Sequence, residues 1–77
     1  MTAEEALDAL LGGRRTGDER ADLIAGAKEA MRRRRLNTEH GGVVLAALHD
    51  DGLSWREIED ATGIARTTAQ RWAEPSA

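Results

Sequence analysis

Few side chains in this sequence stand at spacings that support chemistry, and those that do are mostly cations. His40 and His49 lie nine residues apart without an HExxH-type partner, a spacing that suits neither a shared metal ion nor a general base held by an acid. Asp50-Asp51 and the acids Glu57, Glu59 and Asp60 offer carboxylates, yet caps, turns and a solvated surface account for each of them. Cysteine is absent, which excludes thiolate metal sites, disulfides and cysteine nucleophiles. No Gly-rich phosphate loop and no Ser/His/Asp arrangement occurs. An enzyme, a metal site, a cofactor or a small-molecule substrate is therefore not expected. What remains is positive charge: Arg32, Arg33, Arg34 and Arg35 in one run, and Arg66 and Arg71 in a stretch, 63–73, that holds no acid. Anionic groups are the natural partners of both. For the run, a solvated helix end favoured by the helix dipole is the alternative reading.

These cations sit on an acidic chain. The 77 residues carry 11 Lys and Arg against 14 Asp and Glu, a formal charge of −3. Eight of the cations fall between Arg14 and Arg35. All but Lys28 are arginine, a usage that G+C-rich coding yields by itself, so position rather than abundance carries the information. The length fits one small domain, 1–77, of a size that sits near the stability margin and gains from a partner subunit or ligand. Apolar stretches are short and interrupted by charge, and Met1-Thr2-Ala3-Glu4-Glu5 is acidic where a signal peptide is basic. A cytoplasmic chain with no membrane partner is the expectation.

The elements that must position these groups are helices. A lone proline, Pro75, no Phe or Tyr, and few β-branched residues before the last third predict an all-α fold of four to five helices. Thr2 with Glu5 forms a capping box ahead of Ala3, Ala6, Leu7, Leu10 and Leu11, and Gly12-Gly13 stops that helix. A second box, Thr16 with Glu19, is expected to open a helix whose stripe is Leu23, Ile24, Ala27, Ala30 and Met31. Asn37 or Thr38 caps a third helix holding Val43, Val44, Leu45, Ala47 and Leu48, which Asp50-Asp51-Gly52 ends; Gly41-Gly42 weakens its start. Ser54-Trp55-Arg56-Glu57 is the cleanest capping box of the chain. The short helix it opens runs to about Ala61, Thr62-Gly63-Ile64 interrupts, and a last helix spans about 65–73.

From Leu53 to Trp72 the spacing is that of two helices joined by a tight turn. Ile58 lies five before Gly63, Ile64 follows it, and Ala69 and Trp72 lie six and nine after it. These positions turn inward if both helices share a core. Residues of about 38–72, above all Gly63-Ile64-Ala65-Arg66-Thr67-Thr68-Ala69-Gln70-Arg71-Trp72, resemble the helix-turn-helix DNA-binding proteins. The closest subtype is that of resolvase/invertase C-terminal domains and sigma-factor region 4. Two departures stand out: Glu59 where the family commonly has alanine at the crossing point, and Ala65 where serine often caps the recognition helix. The first admits a looser helix pair or an internal ion pair. The second leaves the helix start uncapped, at about 1 kcal/mol relative to serine.

The resemblance implies a tri-helical unit over 38–73 whose last helix enters the major groove of double-stranded DNA. Its reading residues would be Arg66, Thr67, Thr68, Gln70 and Arg71. Arginine suits guanine, glutamine adenine, and a threonine methyl the thymine methyl. Ser54 and Arg56 would lie near phosphate, and Arg32 to Arg35 are further candidate phosphate contacts. Trp55 and Trp72 read as core or rim packing rather than stacking platforms. Residues 1–36 lie outside this resemblance and read as a helical support. Leu7, Leu10 and Leu11 must pack either on their own chain or across a two-fold onto a partner, and a homodimer is the expected working unit. The expected function is a small transcriptional regulator. The acidic charge keeps open a protein-interaction module for a sigma factor, polymerase or another regulator. The resolvase-like resemblance keeps open a DNA-binding accessory of a mobile element.

Overall fold

Local chemistry sets several of the helix ends in the computed structural model, which describes residues 1–33 and 38–76. Helix α1 is Ala3–Leu11. The Thr2 hydroxyl accepts from the Glu5 N–H at 3.1 Å and the Glu5 carboxylate accepts from the Thr2 N–H at 2.8 Å, the expected capping box. At the other end Arg14, in the short 3-10 turn Gly12–Arg14, donates to the carbonyls of Leu10 and Leu11 at 3.2 and 3.3 Å. Those acceptors have no partner inside the helix, so the guanidinium completes the C-terminus.

Helix α2 is Glu19–Arg33, and its start corrects the sequence reading. Thr16 and Glu19 do not form a capping box. Asp18 stands at the cap instead, its carboxylate accepting from the Ala21 N–H at 3.1 Å. The Thr16 hydroxyl donates to Asp22 at 2.8 Å, and the N–H groups of Thr16 and Gly17 donate to the same carboxylate at 2.9 and 3.2 Å. Asp22 is 1% exposed. A carboxylate that deep must be hydrogen-bonded, and that requirement takes Thr16 away from the helix end.

Helix α3, Thr38–Asp50, runs straight through Gly41 and Gly42, both buried. The Asn37 cap lies outside the described residues. The C-terminus is a Schellman motif: the Leu53 N–H donates to the Leu48 carbonyl at 3.2 Å, and the Gly52 N–H to that of His49 at 3.1 Å. Leu48 and Leu53 are both buried there. Arg20 ties the start of α2 to this turn, donating to the Asp51 carboxylate at 2.8 Å and to its carbonyl at 3.0 Å. Helices α4, Trp55–Thr62, and α5, Arg66–Ala73, complete the bundle before a 3-10 turn over Glu74–Ser76.

Among the described residues the fold is all-α, five helices around one core, with α3 packed against each of the other four. Leu7, Leu10, Leu23, Leu45, Leu48, Ile58 and Ile64 are each at most 1% exposed, and burying one such side chain is worth about 1.5–3 kcal/mol. Leu7, Leu10 and Leu11 belong to this core, so the two-fold alternative for them is replaced by packing within the chain. Among the described residues the one exposed large hydrophobic is Met1. No described helix is long and apolar enough to cross a membrane.

Candidate nucleic-acid interface

The C-terminal part of the chain is built to hold α5 at a fixed angle on α4. Ser54 caps α4: its hydroxyl accepts from the Glu57 N–H at 3.1 Å, and the Glu57 carboxylate accepts from the Ser54 N–H at 2.8 Å. The backbone donor at Ser54, followed by its hydroxyl, keeps the Glu57 carboxyl below its ordinary range. Arg56 stands exposed two residues on from this cap.

Thr62 fastens the turn between the helices. Its hydroxyl donates to the Ile58 carbonyl at 2.7 Å and accepts from the Ile64 N–H at 3.1 Å. Gly63 adopts φ +78° and gives its N–H to the Glu59 carbonyl at 2.8 Å. Only glycine enters that region without strain. Ile64 then drops into the core beside Ile58 and Ala69, each 0% exposed, which sets how α5 leaves the turn. As read from the sequence, Ala65 supplies no side-chain cap.

The opposite face of α5 carries the polar side chains. Arg66, Thr67, Gln70 and Arg71 are exposed and share one arc of the helix, Thr68 is half-buried at its edge, and Ala69 and Ala73 are buried behind. No acid interrupts the arc within the helix. Arg66 has a partner on the neighbouring helix: its Nε lies 3.0 Å from a Glu59 carboxylate oxygen. Glu59 therefore does form an ion pair, but an exposed one rather than the internal pair the sequence suggested.

Trp72 is half-buried against α3. Its ring edge would lie 3.3 Å from a Cβ at Gly41, and that same Cβ would lie 2.9 Å from the Cβ of Ala30. The C-terminal end of α2 and the last turns of α5 therefore meet across the first turn of α3. Arg32 and Arg33 project from this end, and both pair with Glu29, Arg33 at 2.8 Å and Arg32 at 3.9 Å. Arg14 reaches the same carboxylate at 3.9 Å, a third guanidinium that sequence spacing gave no reason to place there. One buried acid faces three cations, two of them, Arg14 and Arg32, well over half exposed. Arg34 and Arg35 lie outside the described residues.

Trp55 stacks on His49 with ring centroids 4.3 Å apart and planes 16° from parallel. His49 Nδ1 is 2.9 Å from the Leu53 carbonyl, so this histidine braces the α3–α4 turn. Both rings border a shallow open depression with Gln70, Ala73 and Glu74. Among the described residues no group of His, Asp and Glu is arranged to hold a metal ion. No protein-family model, curated protein or solved structure matches the chain.

Proposed function

We propose that the chain binds double-stranded DNA in a sequence-specific manner as a small transcriptional regulator, with α4, the turn and α5 acting as a helix-turn-helix and α5 as the recognition helix. The carrying observation is the acid-free exposed arc of Arg66, Thr67, Gln70 and Arg71 on a helix whose angle is fixed by the Thr62–Gly63–Ile64 turn. A helix presented this way enters the major groove with its first turns at the base edges. Arginine and glutamine then supply bidentate donors and acceptors, and Thr67 a methyl group. Thr68, half-buried, would touch the groove wall from the side. Ser54 and Arg56 at the start of α4, with Arg32 and Arg33 at the far end of α2 and Arg14 of the turn after α1, which reaches Glu29 there, are the groups offered to phosphate.

Occupancy of a site is the mechanism, by blocking polymerase or by holding another protein there. The working unit in this reading is a homodimer on two half-sites. Because the leucines of α1 face inward, its subunits would meet through polar side chains or through the DNA itself. A second reading, an interaction module for a sigma factor, polymerase or another regulator, is favoured by the formal charge of −3 and by Glu57 and Asp60 exposed on α4. An accessory role in a mobile element would use the same DNA contacts.

Selection of bound duplexes from a random library at about 50 mM and about 150 mM salt, with the mass in solution, separates these readings. An enriched inverted repeat supports the dimeric regulator, and a single short site supports a monomer. Folded protein that enriches no sequence turns the assignment to the protein-interaction module.

A further inference from the structure

Glu59 and Arg66 face each other across the turn, one in the last turn of α4 and the other at the first position of α5, 3.0 Å apart. We propose that Glu59 is a positioning residue for base recognition: by engaging Arg66 at Nε it fixes the guanidinium so that its two terminal nitrogens form a preset fork for guanine. The proposal rests on the DNA-binding reading above.

A guanidinium has five N–H donors, one on Nε and two on each terminal nitrogen. Contact with Glu59 at Nε leaves the terminal pair, whose spacing matches the O6 and N7 acceptors of guanine in the major groove. A free arginine at a helix start samples many rotamers and must give them up on docking. One already anchored loses less, and its donors arrive in a single geometry.

Stability does not account for the pair. The Arg66 side chain is 56% exposed and that of Glu59 37%, and ion pairs this wet contribute little to folding. A carboxylate beside a DNA-facing helix also opposes phosphate, so in a DNA-binding protein it weakens general affinity unless it does something for recognition. The backbone of Glu59 is itself part of the turn, since its carbonyl accepts from Gly63. The main chain that carries the anchor is therefore held by the same turn that sets α5.

Sites are selected from a random duplex library with the wild type and with E59Q, R66A and R66K, and each variant's melting curve is recorded. The position at which R66A loses a guanine preference defines what Arg66 reads. R66K keeps the charge but has no Nε and no fork, so it is expected to lose that preference too. E59Q is expected to melt like the wild type and to lower guanine discrimination at that position by about threefold or more, with preferences elsewhere unchanged and low-salt affinity equal or higher. Equal or stronger discrimination in E59Q overturns the proposal, since Glu59 then only withholds Arg66. A wild type that selects a sequence in which R66A changes nothing overturns it while the DNA reading stands. A wild type that selects no sequence overturns both.

Discussion

Gly42 lies directly against the backbone of Trp72: a Cβ placed on Gly42 would collide with the Trp72 carbonyl oxygen and stand 2.9 Å from its carbonyl carbon. A pair of glycines near a helix start reads, by propensity alone, as a weakness in α3. In the bundle it is the groove that lets α5 cross α3 at backbone distance.

Substitution at this crossing should therefore oppose helix propensity. Alanine at Gly42 gains up to about 1 kcal/mol of intrinsic helix stability, but its methyl meets a main-chain carbonyl that can yield only if α5 shifts. Overpacking of this kind costs about 1–3 kcal/mol or more, so G42A is expected to melt lower by roughly 5–15 °C for a domain of this size. G41A, whose nearest neighbours are side chains at 2.9 and 3.3 Å, should lose less. A thermal melt in which G42A matches or exceeds the wild type would remove the close crossing.

Asp22 gives the fold a dependence on acid. The Thr16 N–H is the largest influence holding its carboxyl below the ordinary value of 3.8, followed by the Thr16 hydroxyl and the Gly17 N–H, with Arg15 also contributing. A group whose folded-state value lies below its unfolded one stabilises fully above the unfolded value and loses that contribution as pH falls through the folded one. D22N should melt well below the wild type at about pH 7, and the gap should narrow as pH falls from about 4 toward 2. The amide nitrogen that D22N introduces would also confront the N–H donors of Thr16 and Gly17. A gap that is constant over this range would mean that the carboxylate charge is not what Thr16 and Gly17 hold.

Ala65 is an opportunity of the opposite sign. The N-cap of α5 is non-helical, with φ −54° and ψ 139°, but has no side chain to accept from the first-turn amides. A65S is expected to add about 1 kcal/mol, a rise of about 4–8 °C in Tm. No rise, with α5 otherwise intact by circular dichroism, would show that those amides are already satisfied by water at no net cost.

Much of this architecture is written locally. Thr2 with Glu5, Ser54 with Glu57, and the left-handed Gly63 each announce a helix boundary through residues at most three apart, and all three form as the spacing predicts. Thr16 with Glu19 has the same signature and fails, because Asp22 is buried and draws the threonine hydroxyl to itself. No local pattern states which acid will be buried. Gly41-Gly42 was illegible for the same reason, its meaning lying in a distant part of the chain, at Trp72. At the candidate interface, helical periodicity sufficed to put Arg66, Thr67, Gln70 and Arg71 on one exposed arc. The pairing of Glu59 with Arg66 and the convergence of Arg14 on Glu29 depend on how helices pack, which side-chain period does not encode.

Arg71 distinguishes base reading from mere charge on α5. It is exposed, and among the described residues it enters no ion pair, so its guanidinium is available without displacing a partner. If it reads a base, R71A should cost about 1–3 kcal/mol in binding the selected site and relax the preference at one position, with random DNA bound nearly as before. If it only contacts phosphate, affinity should fall alike for all sequences, and the slope of log affinity against log salt should shrink by about one. The R32A/R33A double variant is the control, expected to follow the phosphate pattern with a slope smaller by up to about two and an unchanged selected site. Should R71A and R66A both retain the wild-type affinity, salt slope and selected sequence, α5 is not the helix in the groove, and the exposed arc serves a protein partner instead.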